Sequence, residues 1–385
     1  MNRVYWKKFS GLFLLFVLII FTADCFKSKS INQKKVGAII EQVSLRHCPD
    51  KRISVFEINP RFEKNKLILK GEVLSLEAKH ELTTRLQSEV TKQIEDSLVL
   101  LPDKNLKYDY FGVVRISVAQ VRRKPDVFHE IITQEIMGAE VSILKKKSYW
   151  YYCQFDDKYL GWLMKSSVVR GDKDFIDQWR EKKKVIVIDN YGQVWEKPFN
   201  DDDTLPVSDV VLGNRLIHLG TKKNWLFVQL PDGRQGYLEA KLAMAEETFD
   251  KQSKGKAADL VKRAYSFLGI PYFWGGKSTK GFDCSGFTQT VFRLNGFRLP
   301  RDANMQVKEG MDVTLENDLK NLKTGDLIFF GEDINHITHV GMYLGEDKFI
   351  HSDGYVCINS FNPQDENYSE YRRRGLQAAR RILGD

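Results

Sequence analysis

An internal repeat constrains this chain more than any other feature of its sequence. Residues 137–168 align without gaps on residues 212–243, an offset of 75. Gly138 falls on Gly213, Trp150 on Trp225, Gln154 on Gln229, Gly161 on Gly236 and Trp162 on Tyr237. Upstream, Gln120-Val121 and Lys124-Pro125 match Gln193-Val194 and Lys197-Pro198 at an offset of 73. Each copy alternates short apolar runs with Gly, Asp and Lys turns, the pattern of a small β-barrel. The spacing predicts two such units, at 109–172 and 184–247. Glu130 and Tyr159 occur in the first copy only and are candidates for a role beyond the barrel core.

The flanking sequence adds further units. With 385 residues and 42% hydrophobic content, the chain is neither disordered nor a single mini-domain. Its net charge of +8 comes from 59 basic residues interleaved with 51 acidic ones, which does not select a nucleic-acid partner. Arg3, Lys7 and Lys8 precede an apolar run at 11–21. That run falls short of the roughly 20 residues of a membrane span and matches the core of an export signal over 1–25. Thr22-Ala23-Asp24-Cys25 is a degenerate lipoprotein site, with Asp24 where a small residue is usual, so either Cys25 is lipidated or the segment is cleaved as an ordinary signal or kept as an uncleaved anchor. Export to the periplasm or envelope is expected, with membrane attachment only through this segment. Residues 26–108 read as a small α+β unit. A helix is expected near Val36–Arg46, two strands follow Ile53, and helical spacing over Leu76–Leu98 completes a β-β-α unit with a spacing role.

The chemistry concentrates in 255–385. A glycine-rich stretch leads to Asp283-Cys284-Ser285-Gly286, after which Phe287, Val291 and Leu294 recur at helical spacing. Cys284 therefore sits at a helix N-terminus, where free N–H groups and the dipole favour thiolate and can hold an oxyanion. The region holds three histidines, His336, His339 and His351. Strands at 325–330, 339–344 and 348–351, with a turn at Gly345-Glu346-Asp347, bring His339 and His351 to one end of an antiparallel sheet. That geometry permits a nucleophile, base and orienting residue in Cys284, His339 and His351. His336 is an alternative base, and Cys284, His339, His351 and Cys357 an alternative zinc set, though without any CxxC or HxxxH pair. Cys48 and Cys153 read as buried small side chains. Thiol chemistry needs no cofactor.

The pieces PYFWGG (271–276), DCSGF (283–287), LPRDA (299–303), GDLIFF (325–330), HVGMYL (339–344) and FIHS (349–352) resemble the NlpC-type papain-like cysteine peptidases. The repeats resemble bacterial SH3 domains, and the whole arrangement resembles γ-D-glutamyl-L-diamino acid endopeptidases, also called dipeptidyl-peptidase VI. The resemblance implies an α+β protein with a papain-like domain at 255–385, acting on peptidoglycan-derived peptides. It implies Cys284 as nucleophile, His339 as base and His351 as the orienting residue. A pocket for a free N-terminal L-alanine would comprise Tyr272, Asp283, Ser285, Glu130 and Tyr159. Two other readings remain: a non-catalytic wall-binding protein, and the same residues acting on a different wall amide.

Overall fold

The computed structural model describes residues 31–63, 66–198, 203–252, 255–315 and 319–384, so the expected export signal and Cys25 lie outside the described residues. The first unit runs α1 (Gln33–His47), β1 (Phe56–Glu63), β2 (Lys66–Val73), α2 (Leu76–Glu89) and β3 (Ile94–Leu100). Ser75 caps α2 by accepting from the Ala78 N–H. The helix expected to reach Leu98 stops at Glu89, where β-branched Val90 and Thr91 follow. Ile94 then opens a strand that pairs parallel with β2, in register Leu67↔Ile94. The unit is therefore α-β-β-α-β rather than β-β-α. Val36, Ile39 and Val43 of α1 and Ala78, Leu82 and Leu86 of α2 share one core with Leu67, Leu69 and Val73 of the sheet.

The repeat appears directly in the topology. The first copy contains β4 (Phe111–Val114), β5 (Val118–Arg122), β6 (Ile131–Ile136), β7 (Glu140–Lys147), β8 (Trp150–Gln154), β9 (Leu160–Met164) and β10 (Val168–Gly171). After α3 (Lys173–Glu181), the second contains β11 (Lys184–Val187), β12 (Tyr191–Trp195), β13 (Pro206–Val211), β14 (Arg215–Lys222), β15 (Trp225–Gln229), β16 (Gln235–Glu239) and β17 (Ala243–Ala245). The strand orders, β10-β4-β7-β8-β9-β5-β6 and β17-β11-β14-β15-β16-β12-β13, are the same. Even the bulges coincide, at Ile143/Lys145 and His218/Gly220. Gly161 and Gly236 are glycines for one reason: a Cβ at either would collide with the side chain of Val121 or Val194 on the facing strand. Where closed barrels were expected, both sheets remain open, with no pairing between their edge strands among the described residues. The β6 edge is instead covered by the C-terminal region, another way to protect an edge.

That region comprises α4 (Glu246–Gln252), α5 (Ala257–Tyr265), β18 (Lys277–Ser278), β19 (Gly281–Phe282), α6 (Cys284–Arg293), α7 (Ala303–Gln306), β20 (Met311–Asp312), β21 (Leu327–Gly331), β22 (Ile337–Gly345), β23 (Lys348–Asp353), β24 (Tyr355–Ser360), α8 (Glu370–Arg374) and β25 (Leu376–Arg381). Its antiparallel sheet has the order β20-β25-β21-β22-β23-β24. Phe287 and Val291 of α6 and Leu260 and Ala264 of α5 share a core with Val340, Met342 and Ile350 of the sheet. The helix bearing Cys284 is thus fixed to the sheet bearing both histidines. Side chains of β6 lock the first repeat onto this region. Arg301 Nε donates to Thr133 Oγ1 at 2.8 Å, and Lys277 pairs with Glu135 at 2.6 Å, both nearly inaccessible to solvent.

Candidate active site

Cys284 is the first residue of α6, and Asp283 caps that helix by accepting from the Gly286 N–H at 2.6 Å. The loop before it must pass close to the helix. A Cβ on Gly286 would collide with the carbonyl of Gly276, and one on Gly276 with the carbonyl of Gly281. Cys284 is 8% exposed. Burial, with the Asp283 charge adding to it, pushes its thiol up to about 12, against a smaller downward pull from the Val340 and Ser285 backbone N–H groups and Arg301. Burial thus opposes the thiolate-favouring effect expected of the helix terminus.

The histidines form a buried chain whose proton positions follow from its far end. Asn359 Nδ2 donates to the Asn367 carbonyl at 3.0 Å, which turns its Oδ1 toward His351 Nε2, 2.7 Å away. His351 Nε2 must then carry a proton, so its Nδ1 is the acceptor in neutral imidazole. His339 Nε2 lies 2.8 Å from that Nδ1 and donates to it. The remaining nitrogen of His339, Nδ1, is left unprotonated and able to accept a proton. Burial holds His351 down at about 4, with Asn359 pulling upward and Arg372 downward. Burial, then Arg372 and His351, hold His339 well below its ordinary value. Both rings are neutral near pH 7. Gly341 makes room for the chain, because a Cβ there would press on the Cβ of His351 at 3.2 Å.

Cys284 and His339 line one cleft of about 300 Å³. All five residues expected in the amine pocket line it too: Tyr272, Asp283, Ser285, Glu130 and Tyr159. Their states differ from the expectation in an important way. The Asp283 carboxylate is fully engaged, accepting from Gly275 N at 3.0 Å and from Arg301 Nη1 and Nη2 at 3.1 and 2.5 Å. Ser285 Oγ accepts from the same arginine at 2.9 Å. Asp283 and Ser285 therefore brace the helix start, and the charge of Asp283 is matched by a buried cation. Glu130 accepts from Arg123 Nε at 2.6 Å and from Trp274 Nε1 at 2.9 Å, and Arg123, followed by Trp274, holds its carboxyl below the usual range. Tyr159 is buried, and its hydroxyl donates to Asp302 Oδ2 at 2.9 Å. Burial raises the hydroxyl pKa of both Tyr159 and Tyr272.

His336 does not enter this cleft. It is exposed, pairs with Asp333 at 2.9 Å and lines a separate groove with Tyr371 and Arg374. Cys357 lies 3.7 Å from His351 Nε2. Among the described residues no three His, Cys, Asp or Glu side chains cluster as a metal-ligand set. Sequence reasoning missed Arg301 and Asp302, although both stand inside the LPRDA segment, and it missed Asn359, Arg52, Arg123 and Trp274. Asn359 carries no local signal; it reaches His351 only through the β23–β24 pairing, in which His351 faces Cys357.

Residues 269–377 match the NlpC/P60 family. A γ-D-glutamyl-L-lysine dipeptidyl-peptidase of Bacillus cereus is 31% identical over 234 residues, covering 58% of this chain and 68% of that protein. The chain belongs to the NlpC/P60 family. Dipeptidyl-peptidase 6 of Lysinibacillus sphaericus is 28% identical over 273 residues, or 68% of this chain and 94% of that protein. In fold, the chain is similar to the crystal structure of an NlpC/P60 family protein from Bacillus cereus, with a TM-score of 0.61 and 24% identity over 71% of this chain and 100% of that one. No helix among the described residues is long and apolar enough to cross a membrane.

Proposed function

We propose that this NlpC/P60 protein is a cysteine peptidase that hydrolyses the bond between γ-D-glutamate and the diamino acid in peptidoglycan stem peptides carrying a free N-terminal L-alanine. One observation carries the reading: the Cys284 sulfur shares its cleft with a histidine whose tautomer is set by a buried chain ending at Asn359. The name of the Bacillus cereus relative, a γ-D-glutamyl-L-lysine dipeptidyl-peptidase, points to the same bond. In the forward step His339 Nδ1 takes the thiol proton as Sγ attacks the γ-carbonyl carbon, so neither a standing thiolate nor a charged imidazole is needed beforehand. The oxyanion faces N–H groups at the start of α6, which a helix cannot satisfy internally. His351 Nδ1 accepts from His339 Nε2 and stabilises the imidazolium. The imidazolium then protonates the departing amine, leaving a thioester. Water, deprotonated by His339, attacks the thioester and releases L-Ala-D-Glu and the thiol.

Glu130 and Asp302, the latter hydrogen-bonded by the Tyr159 hydroxyl, form the acidic side of the cleft where the alanine ammonium would lie. We read the two open sheets as bacterial SH3-like units, supported by their shared strand order, and the first as a contributor to that pocket. A cell-envelope location fits such a substrate. The test is mass spectrometry of products from L-Ala-γ-D-Glu-L-Lys, its diaminopimelate counterpart and their N-acetylated forms. Release of L-Ala-D-Glu from a free peptide, abolished in a folded Cys284→Ala variant, is expected. Cleavage of neither peptide by reduced, folded protein would remove this reading in favour of wall binding or another amide.

A further inference from the structure

We propose that the N-terminal unit forms an end wall of this cleft, and that its Asp50–Arg52 pair restricts the cleft to peptides ending there in a free amine. The inference rests on the peptidase reading above and deepens it. Arg52 lies in the segment between α1 and β1, far in sequence from the catalytic residues, yet it lines the same cleft as Cys284. One edge of its guanidinium is held by Asp50, through Nε at 3.0 and 3.1 Å and Nη2 at 2.6 Å. The other edge reaches across to the C-terminal region, where Nη1 donates to Asp302 Oδ2 at 2.6 Å and Asn304 Oδ1 at 2.8 Å. Tyr159 donates to the same Asp302 oxygen, so three units of the chain converge on one carboxylate.

Two consequences follow. The first is steric. The segment carrying Arg52 is fastened to the first repeat: Leu160 N donates to the Arg52 carbonyl at 2.8 Å, and Gln154 Nε2 to the Ile53 carbonyl at 2.9 Å. Below it Val55, Leu101, Leu144 and Leu160 form a shared apolar cluster, and Lys145 pairs with Glu72. Arg52 is thus anchored on both sides, a fixed obstacle to any group extending past the amine. The second is electrostatic. Asp283 is matched by Arg301 and Glu130 by Arg123, one acid to one arginine. At the end wall two acids, Asp50 and Asp302, contact one arginine, Arg52, while Lys308 also acts on Asp50, and Arg123 and Arg301 on Asp302. An ammonium is compatible with these carboxylates, whereas an amide brings them no charge and meets the guanidinium.

The test is calorimetric binding of L-Ala-γ-D-Glu-L-Lys and its N-acetylated form in the Cys284→Ala background, with circular dichroism and melting curves confirming each variant's fold. The background protein should favour the free peptide by about tenfold or more. Arg52→Ala, which removes the obstacle, should improve binding of the acetylated peptide about tenfold, and Arg52→Lys should reverse part of that gain. Asp50→Asn, which keeps the obstacle but removes one of the two carboxylate charges, should weaken the free peptide without helping the acetylated one. A folded Arg52→Ala variant that binds the acetylated peptide no more tightly than the background protein would overturn the inference. Binding separates it from the functional reading, because absence of turnover in the protein retaining Cys284 contradicts the peptidase assignment instead.

Discussion

Asn359 is hydrogen-bonded to His351 rather than to His339, yet its amide orientation decides which nitrogen of His339 is free. Replacing it with leucine removes the acceptor for His351 Nε2–H, and both rings can then adopt the other tautomer. Asn359→Leu is expected to lower kcat on the order of a hundredfold with KM little changed, and steady-state kinetics would show it. A loss confined to KM would count against the tautomer argument. The same buried rings make stability depend on pH. Their folded pKa values lie below the ordinary histidine value, that of His351 at about 4, so the unfolded chain takes up protons first as pH falls. Stability is complete above about pH 6.5 and declines toward pH 4. Melting curves of Cys284→Ala should fall across that window, and more shallowly when His351→Leu is added. A melting temperature flat from pH 7 to 4 would contradict the neutral-histidine assignment.

At the scale of elements, the junction between the glycine-rich loop and α6 places the sulfur. Gly286→Ala would force the Gly276 carbonyl away from the helix, and activity should fall more than tenfold with a lower melting temperature. Arg301→Leu would leave the Asp283 carboxylate buried without its counter-charge, an expected loss of about 3–5 kcal/mol by denaturant titration. Much of this arrangement was legible in the sequence. The apolar spacing after Cys284 marked α6, the turn at Gly345-Glu346-Asp347 set the histidine strands, and the offset of 75 marked the duplicated sheets. What escaped has two physical causes. Ile94 continues the helical spacing of α2, but pairing with β2 outweighs that local pattern. The roles of Asn359, Arg301 and Arg52 depend on partners 8, 18 and 250 residues away, which no local periodicity encodes.

For the whole molecule, the site is a product of docking as well as of one domain. Glu135, on the strand that follows Glu130 in the first repeat, and Lys277 of the C-terminal region pair out of contact with solvent. Glu135→Ala leaves Lys277 buried without that partner, so melting should occur at lower temperature, and KM for the free tripeptide should rise more than kcat falls as Glu130 and Tyr159 lose their register with Cys284. Unchanged KM in that variant would mean that the repeat does not shape the pocket. The central claim, that Cys284 is acylated by the γ-D-glutamyl group, is tested most directly by quenching the reaction of protein and L-Ala-γ-D-Glu-L-Lys in acid early in turnover and mapping the adduct by mass spectrometry. The account predicts an L-Ala-γ-D-Glu acyl group on Cys284, absent from Cys284→Ala. Products accumulating in the Cys284→Ala protein, or an adduct on another residue, would contradict it.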